Sequence, residues 1–346
     1  MIANVSRSEL SARVTLRQTI IACAALAFVL LASVLLMSLL GSERLPVRAS
    51  LCALLTVGQS TCGLTADQFS ILFEIRLPRI LLAAAVGASL SAAGASYQAL
   101  LRNPLAEPYL LGVSNGAAVG TMIALVFLGS WEWSRPVLAF SGALIATAVV
   151  YRLARGRAGA TPERLILAGV IVTTFLSSVI VFVTTLLDAT RIRSFTFWLL
   201  GDLSGTTTSL LAIAITIAIA GTVVLALNAR SLNLMMLGER DAFDLGVEVG
   251  RVRVSVFLAA SLLVGSSVAS SGSVGYVGLV VPHLVRLSLG SDNRITIPAA
   301  ALGGALFVIV ADTIARTVIA PRELPVGAIT ALVGAPLFIY LLKRGR

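Results

Sequence analysis

Apolar runs of about 20 residues, each closed by a short polar gap, recur along the chain. Ten are marked out, over about 17–40, 77–101, 109–129, 136–154, 163–187, 207–228, 253–271, 275–289, 296–318 and 324–342. An α-helix needs a run of that length to cross about 30 Å of hydrocarbon. The pattern predicts an all-α, polytopic membrane protein with about ten transmembrane helices, forming one domain over 1–346. The stretch 253–289 is the least regular, because Gly272, Gly275 and Gly278 interrupt it and Pro282 and His283 lie inside it. The run from Ile20 to Leu40 is too long for a signal-peptide core and has no small-residue cleavage site after it, so it is read as the first span.

Two polar interruptions stand out. The longest in the C-terminal half is 230–253, RSLNLMMLGERDAFDLGVEVGRVR. Leu232, Met235 and Met236 fall at helical spacing before Gly238; Phe243, Leu245 and Val247 follow among Glu239, Arg240, Asp241 and Asp244, and Gly246 suits a helix stop. Apolar groups inside a charged frame read as a docking surface for another protein. An ordinary solvated interhelical loop is the alternative. The segment 41–75 holds Cys52 and Cys62, ten positions apart, while Cys23 lies in the first span. Facing an oxidising compartment these two thiols could pair, the alternative being two free thiols.

Composition changes the picture in one respect. Only 12% of the residues are charged and 58% are hydrophobic, against about 25% charged in soluble proteins. The net charge of +10 raises the question of nucleic acid. The basic residues, all arginine except Lys343, lie in the gaps between runs and form no basic face with interleaved aromatics, which argues against that partner. Placing the N-terminus inside puts 17 of the 26 basic residues in inner segments and 9 in outer ones. The positive-inside rule then makes both termini cytoplasmic, and the 230–253 stretch with them.

Small residues crowd 87–96, and Gly112, Gly116 and Gly120 form a ridge on the third run. Both are read as faces that let helices approach closely in lipid. Between them, Pro104 and Pro108 forbid a continuous helix, predicting a broken turn at the cytoplasmic rim. Asp312 and Arg316 share a helix face one turn apart and are read as a structural ion pair rather than a proton relay, since no second acid stands nearby. The lone His283 makes no metal site. Thr174, Ser177 and Ser178, with Thr184 and Thr185 further along, either line a wet pathway or bond back to their own helix.

The chain has no G-x-x-x-x-G-K-[ST] loop, no H-E-x-x-H, no paired Cys/His ligands and no G-x-S-x-G. No enzymatic chemistry is therefore expected in this subunit, and uphill transport would draw on a partner or an ion gradient. A proton-coupled secondary transporter would need titratable pathway groups, of which only Asp312 is present.

Long motifs carry a resemblance. RLPRILLAAAVGASLSAAGASYQALLRNPLAEPYLLGVSNGAAVG (76–120), FWLLGDLSG (197–205), LNLMMLGERDAFDLGV (232–247), GSVGYVGLVVPHLVRLSLGSDNR (272–294) and the section from 311 to 346 follow in order. Together they resemble the permeases that import iron–siderophore complexes, haem and cobalamin, the type II ATP-binding-cassette importers. The resemblance covers nearly all of the chain beyond residue 70; the 41–70 segment matches least, and its cysteines are outside the family pattern. It implies a type II permease fold in the bacterial inner membrane, a homodimer with the pathway between the copies, two cytoplasmic ATPase subunits that bind ATP and Mg, and a periplasmic substrate-binding protein. No cofactor is implied in this subunit.

By motif, the resemblance makes Gly238, Glu239, Arg240, Asp241, Leu245 and Gly246 the ATPase-coupling residues. It makes Arg76, Arg79 and Arg316 grips for acidic residues of the binding protein, a task that suits the guanidinium fork. Trp198 and Gly201 fall on the outer gate, and Thr161, Pro162 and Glu163 on the inner gate. At that inner gate the sequence departs from the small hydroxyl-bearing run of the family. The implied function is ATP-driven import of a metal chelate, ferric siderophore first, with cobalamin or haem as the alternative.

Overall fold

The computed structural model describes residues 16–128, 131, 133–156 and 159–344. Arg7, Arg13, Arg157 and Arg346, four of the inner basic residues counted above, lie outside the described residues.

Backbone polar groups in lipid have no water to bond, so the apolar runs close their hydrogen bonds internally as helices. The ten expected runs correspond to α1 (Leu16–Leu39), α4 (Leu77–Leu100), α5 (Val113–Phe127), α6 (Ser134–Ala154), α7 (Pro162–Thr184), α9 (Thr208–Leu227), α12 (Val249–Ser271), α13 (Val277–Leu289), α14 (Asn293–Thr317) and α15 (Val326–Arg344). Among the described residues, six helices are long and apolar enough to cross a membrane, and three more are apolar but shorter. Between the spans lie α2 (Val47–Leu55), α3 (Ala66–Ser70), α8 (Ala189–Leu199), α10 (Ala229–Leu237) and α11 (Glu239–Asp244).

The small-residue helix α4 is the axis of the packing. It is buried from Ser89 to Leu100 without a break, and α14, α12, α9 and α13 pack around it. At Gly87 the backbone meets that of Gly304 on α14 so closely that a Cβ on either would fall inside the other's carbonyl. Gly116 and Gly142 bring α5 and α6 together in the same way. Gly112 departs from the expected ridge. It precedes α5 in the left-handed region at φ 76°, where it ends the short 3-10 turn Pro108–Leu111.

That turn and the bend at 272–276 explain why α5 and α13 are short. Each breaks a span partway, and the exposed backbone groups find side chains. Tyr109 Oη accepts from the Val274 amide at 3.0 Å and donates to the Val274 carbonyl at 3.1 Å. The Glu107 carboxylate accepts from the Tyr276 amide at 3.1 Å. Irregular backbone is tolerated at such depth only where protein groups satisfy it.

The 41–75 segment folds as a small cap with its own apolar cluster of Leu45, Ala53, Leu64 and Leu72. Cys52 and Cys62 are joined by a disulfide across it. Replacing both by serine should speed proteolysis within the cap while leaving the spans protected. Peptide mapping under non-reducing conditions checks the linkage directly.

Candidate functional site

At one end of the helices, Arg79 enters from the first turn of α4 and Asp312 from the last third of α14. Arg79 Nε donates to Asp312 Oδ1 at 3.0 Å, and its Nη1 donates to Glu323 Oε2 at 2.7 Å. Arg316 Nε lies 3.0 Å from Asp312 Oδ2, an ion pair too bent to make a good hydrogen bond. Asp312 is completely buried, so its charge is tolerable only because two guanidinium groups flank it. Arg76 belongs to the turn before α4 and spends its donors on the backbone carbonyls of Ser38, Leu39 and Glu43. The three arginines expected as surface grips are therefore close together but lie beneath the surface, each at most 7% exposed. The motif resemblance named all three, and the structure brings them together at one end of the helices. The resemblance carries no signal for Glu323, which approaches Arg79 from 244 positions away; its only sequence cue is an acid just before the last span.

The segment 188–204 lies beside this cluster. Asp188 caps α8 by accepting from the Arg191 amide at 2.9 Å, and Trp198 stacks near Phe195 with ring centroids 6.3 Å apart. Gly201 follows at φ 91°, a backbone that only glycine adopts without strain. Its carbonyl accepts from the Val326 amide at 3.1 Å, and the next residue, Asp202, donates its amide to Ser271 at 2.8 Å. These bonds tie Trp198 and Gly201 to the end of α12 and the start of α15.

At the opposite face, 229–248 forms an elbow of two short helices. Leu232 and Met235 of α10 are buried against the spans, while Leu237 is 70%, Phe243 70% and Leu245 63% exposed. Gly246 ends α11 at φ 85°, its amide bonding to Phe243 at 2.9 Å. Arg240 and Asp241 point to solvent. Glu239 does not, in full: it forms an ion pair with the buried Arg253 of α12.

A second clasp fixes α10. Asn233 donates to Asp292 Oδ1 at 2.7 Å and accepts from the amide and side chain of Asn293 at 2.9 and 2.8 Å. Burial alone would raise the Asp292 carboxyl, but bonds from Arg294 and Asn233 outweigh it and hold it below the usual range. Asn233, Asp292 and Asn293 were invisible to sequence reasoning, since partners about 60 positions apart leave no local pattern.

The hydroxyl rows on α7 divide. Thr174 bonds back to Val170 at 2.9 Å and Ser178 to Thr174 at 3.1 Å, both on an exposed face. Thr184 and Thr185 also bond back. Ser177 instead accepts from Asn115 Nδ2 at 2.7 Å, joining α7 to α5. Thr161, Pro162 and Glu163 form the start of α7: Thr161 accepts from the Arg164 amide, proline takes the first helical position and the acid sits in the first turn.

Apolar helices packed about a small-residue axis, an exposed elbow at one face and a buried arginine cluster at the other define an integral-membrane transport permease. The chain belongs to the FecCD transport family, whose model matches residues 19–344. It is 40% identical over 278 residues to the hemin transport system permease protein HmuU of Yersinia pestis, covering 79% of this chain and 83% of that one. It is 42% identical over 269 residues to the cobalamin import system permease protein BtuC of Halobacterium salinarum, covering 78% and 72%. A solved ABC transporter described as of metal-chelate type, in an inward-facing conformation, superposes with a TM-score of 0.80 at 29% identity, covering 94% of this chain and 99% of that one.

Proposed function

We propose that this chain is the permease subunit of an ATP-driven importer of a metal chelate, with ferric siderophore as the first substrate class. Cobalamin or haem import by the same type of complex is the alternative, and relatives named for both favour it equally. The reading carries both termini on the cytoplasmic side of a bacterial inner membrane, a second copy of the permease, two ATPase subunits that bind ATP and Mg, and a periplasmic binding protein.

The observation that carries it is the elbow. Leu237, Phe243 and Leu245 are large apolar groups outside any span, presented on helices that are bonded to α12 and α14 rather than free. Such a feature suits a rigid ridge that an ATPase cleft grips. Gly238, Glu239, Arg240, Asp241, Leu245 and Gly246 shape it, and Phe243 adds the contact group. ATP-driven movement of the elbow would tilt the packed spans as bodies and alternate the access of a central path. In that cycle Trp198 and Gly201 act at the outer gate, Thr174, Ser177 and Ser178 face the path, and Thr161, Pro162 and Glu163 stand at the inner gate. On the outer face, binding-protein carboxylates would compete with Glu323 for Arg79, with Arg76 and Arg316 supporting the site from below.

The test is copurification. Phe243→Asp with Leu245→Asp should abolish recovery of the ATPase with the permease and leave the permease monodisperse. ATPase recovered at the wild-type ratio would overturn the coupling assignment. The substrate class is tested by the ligand that the partner binding protein retains on purification. A proton-coupled secondary transporter is the second reading; uptake that survives ATP depletion but collapses with the proton gradient would favour it over the first.

A further inference from the structure

We propose that α2 (Val47–Leu55) is an interfacial anchor, lying on the bilayer surface with its apolar stripe among the lipid chains and Arg44 and Arg48 on lipid phosphates. The helix has two unlike faces. Ser50 and Ala53 are buried, Ala53 within the cap's own cluster with Leu45, Leu64 and Leu72. Val47, Leu51 and Leu55 recur at every fourth residue and so share another face. They are exposed, and Val57 follows just past the helix end; exposure runs from 37% at Leu51 to 81% at Val57. Val57 takes a left-handed backbone at φ 53°, which a β-branched residue adopts only under strain. The cap therefore has a core of its own and a second set of aliphatic groups left uncovered by the described residues.

Position and charge point to lipid as what covers them. The span α1 exposes Ile20, Ile21, Phe28, Val29, Leu31 and Leu36, which at 3.6 residues per turn spread over roughly half of its circumference. A packed neighbour covers a stripe about 100° wide, so hydrocarbon reaches this helix. Only residues 40–46 separate α1 from α2, and α2 packs back against α1. That sets α2 at the level where hydrocarbon gives way to headgroups. Arg44 and Arg48 are exposed, and neither has a carboxylate within ion-pairing distance among the described residues. Arg48 stands three positions before Leu51, at the edge of the stripe. A guanidinium bordering an aliphatic stripe at that depth meets lipid phosphates while its stem lies along the chains. The cap borders the Arg79 cluster through other residues, 41–43, 71 and 75, so a protein docked on that cluster need not cover the stripe. The placement requires only that α1 spans the membrane and does not rest on the transport reading. An anchored cap would steady the carbonyls of Ser38, Leu39 and Glu43, on which Arg76 spends its donors.

Photocross-linking tests the anchor, with the complete importer and its binding protein in vesicles of phosphatidylcholine and phosphatidylglycerol. With Leu51→benzoylphenylalanine as the probe, the adducts identified by mass spectrometry should be to phospholipid, phosphatidylglycerol exceeding its share of the membrane. Arg44→Gln with Arg48→Gln should lower the ratio of phosphatidylglycerol to phosphatidylcholine adducts roughly three- to tenfold. With the probe moved to Val47, Leu51→Asp and Leu55→Asp together should cut lipid adducts roughly tenfold or more, while the cap keeps its resistance to protease. A predominant adduct to the binding protein or to a second permease copy would overturn the proposal. So would lipid adducts unchanged in the aspartate variant, or an adduct ratio unchanged in the glutamine variant.

Discussion

Replacing Asp312 by alanine should lower the stability of the permease by about 3–5 kcal/mol, the cost of leaving buried charge without its partner. The magnitude follows from how much depends on one carboxylate. Asp312 is fully buried and is shared by Arg79 from α4 and Arg316 from its own helix, both nearly buried. Removing it leaves two cations in a low-dielectric region with only Glu323, itself half exposed, to answer Arg79. The readout is the thermal midpoint of the purified protein in a mild detergent. A companion variant isolates the cause: Asp312→Leu together with Arg79→Met and Arg316→Met should be more stable than Asp312→Ala alone, because it leaves no charge stranded. If the triple variant is no better, the cluster acts through packing and the electrostatic account fails.

The second large effect is expected at the seam of α4 and α14. Gly304→Val should prevent accumulation of folded permease, and Gly304→Ala should already cost about 1–3 kcal/mol by overpacking. A Cβ there would intrude on the carbonyl of Gly87, a backbone group in the most buried helix of the protein, and so one that cannot swing aside. Gly250→Ala is the control. It lies in the first turn of α12 with nothing within 4 Å of the added carbon, so it should be neutral or mildly stabilising. Fluorescence-detected size-exclusion profiles of the three variants give the comparison. A Gly304→Val protein that accumulates normally would mean that the two helices separate more easily than their contact implies.

Much of this architecture was legible in the sequence because lipid enforces simple rules. An apolar run of about 20 residues has few alternatives to a spanning helix, and the expected runs fall on the observed helices within a few residues. The misses at the short ones have a local cause. Gly112 takes a left-handed backbone instead of continuing the ridge, and the bend around Gly272 shortens α13. The elbow was legible because apolar residues inside a charged interruption break the general pattern. What the pattern could not supply was partnership. Asp312 and Arg316 are one turn apart and could be paired on paper, but Arg79 and Glu323 join them from distant segments. Likewise the spacing of Thr174, Ser177 and Ser178 defines a face, yet it cannot show that Ser177 alone turns to Asn115. The arginines read as grips show the same limit, since a motif gives position along the chain and not the direction of a side chain.

The helix α14 has polar anchors at both extremities, Asn293 fastened to Asn233 near its start and Asp312 fastened to Arg79 near its finish. A helix resists compression along its axis, and its 25 residues measure roughly 37 Å. Under the proposed function it would serve as a pinned strut: a displacement imposed at the elbow would be passed along α14 to the Arg79 cluster, with no flexible linker in between to absorb it.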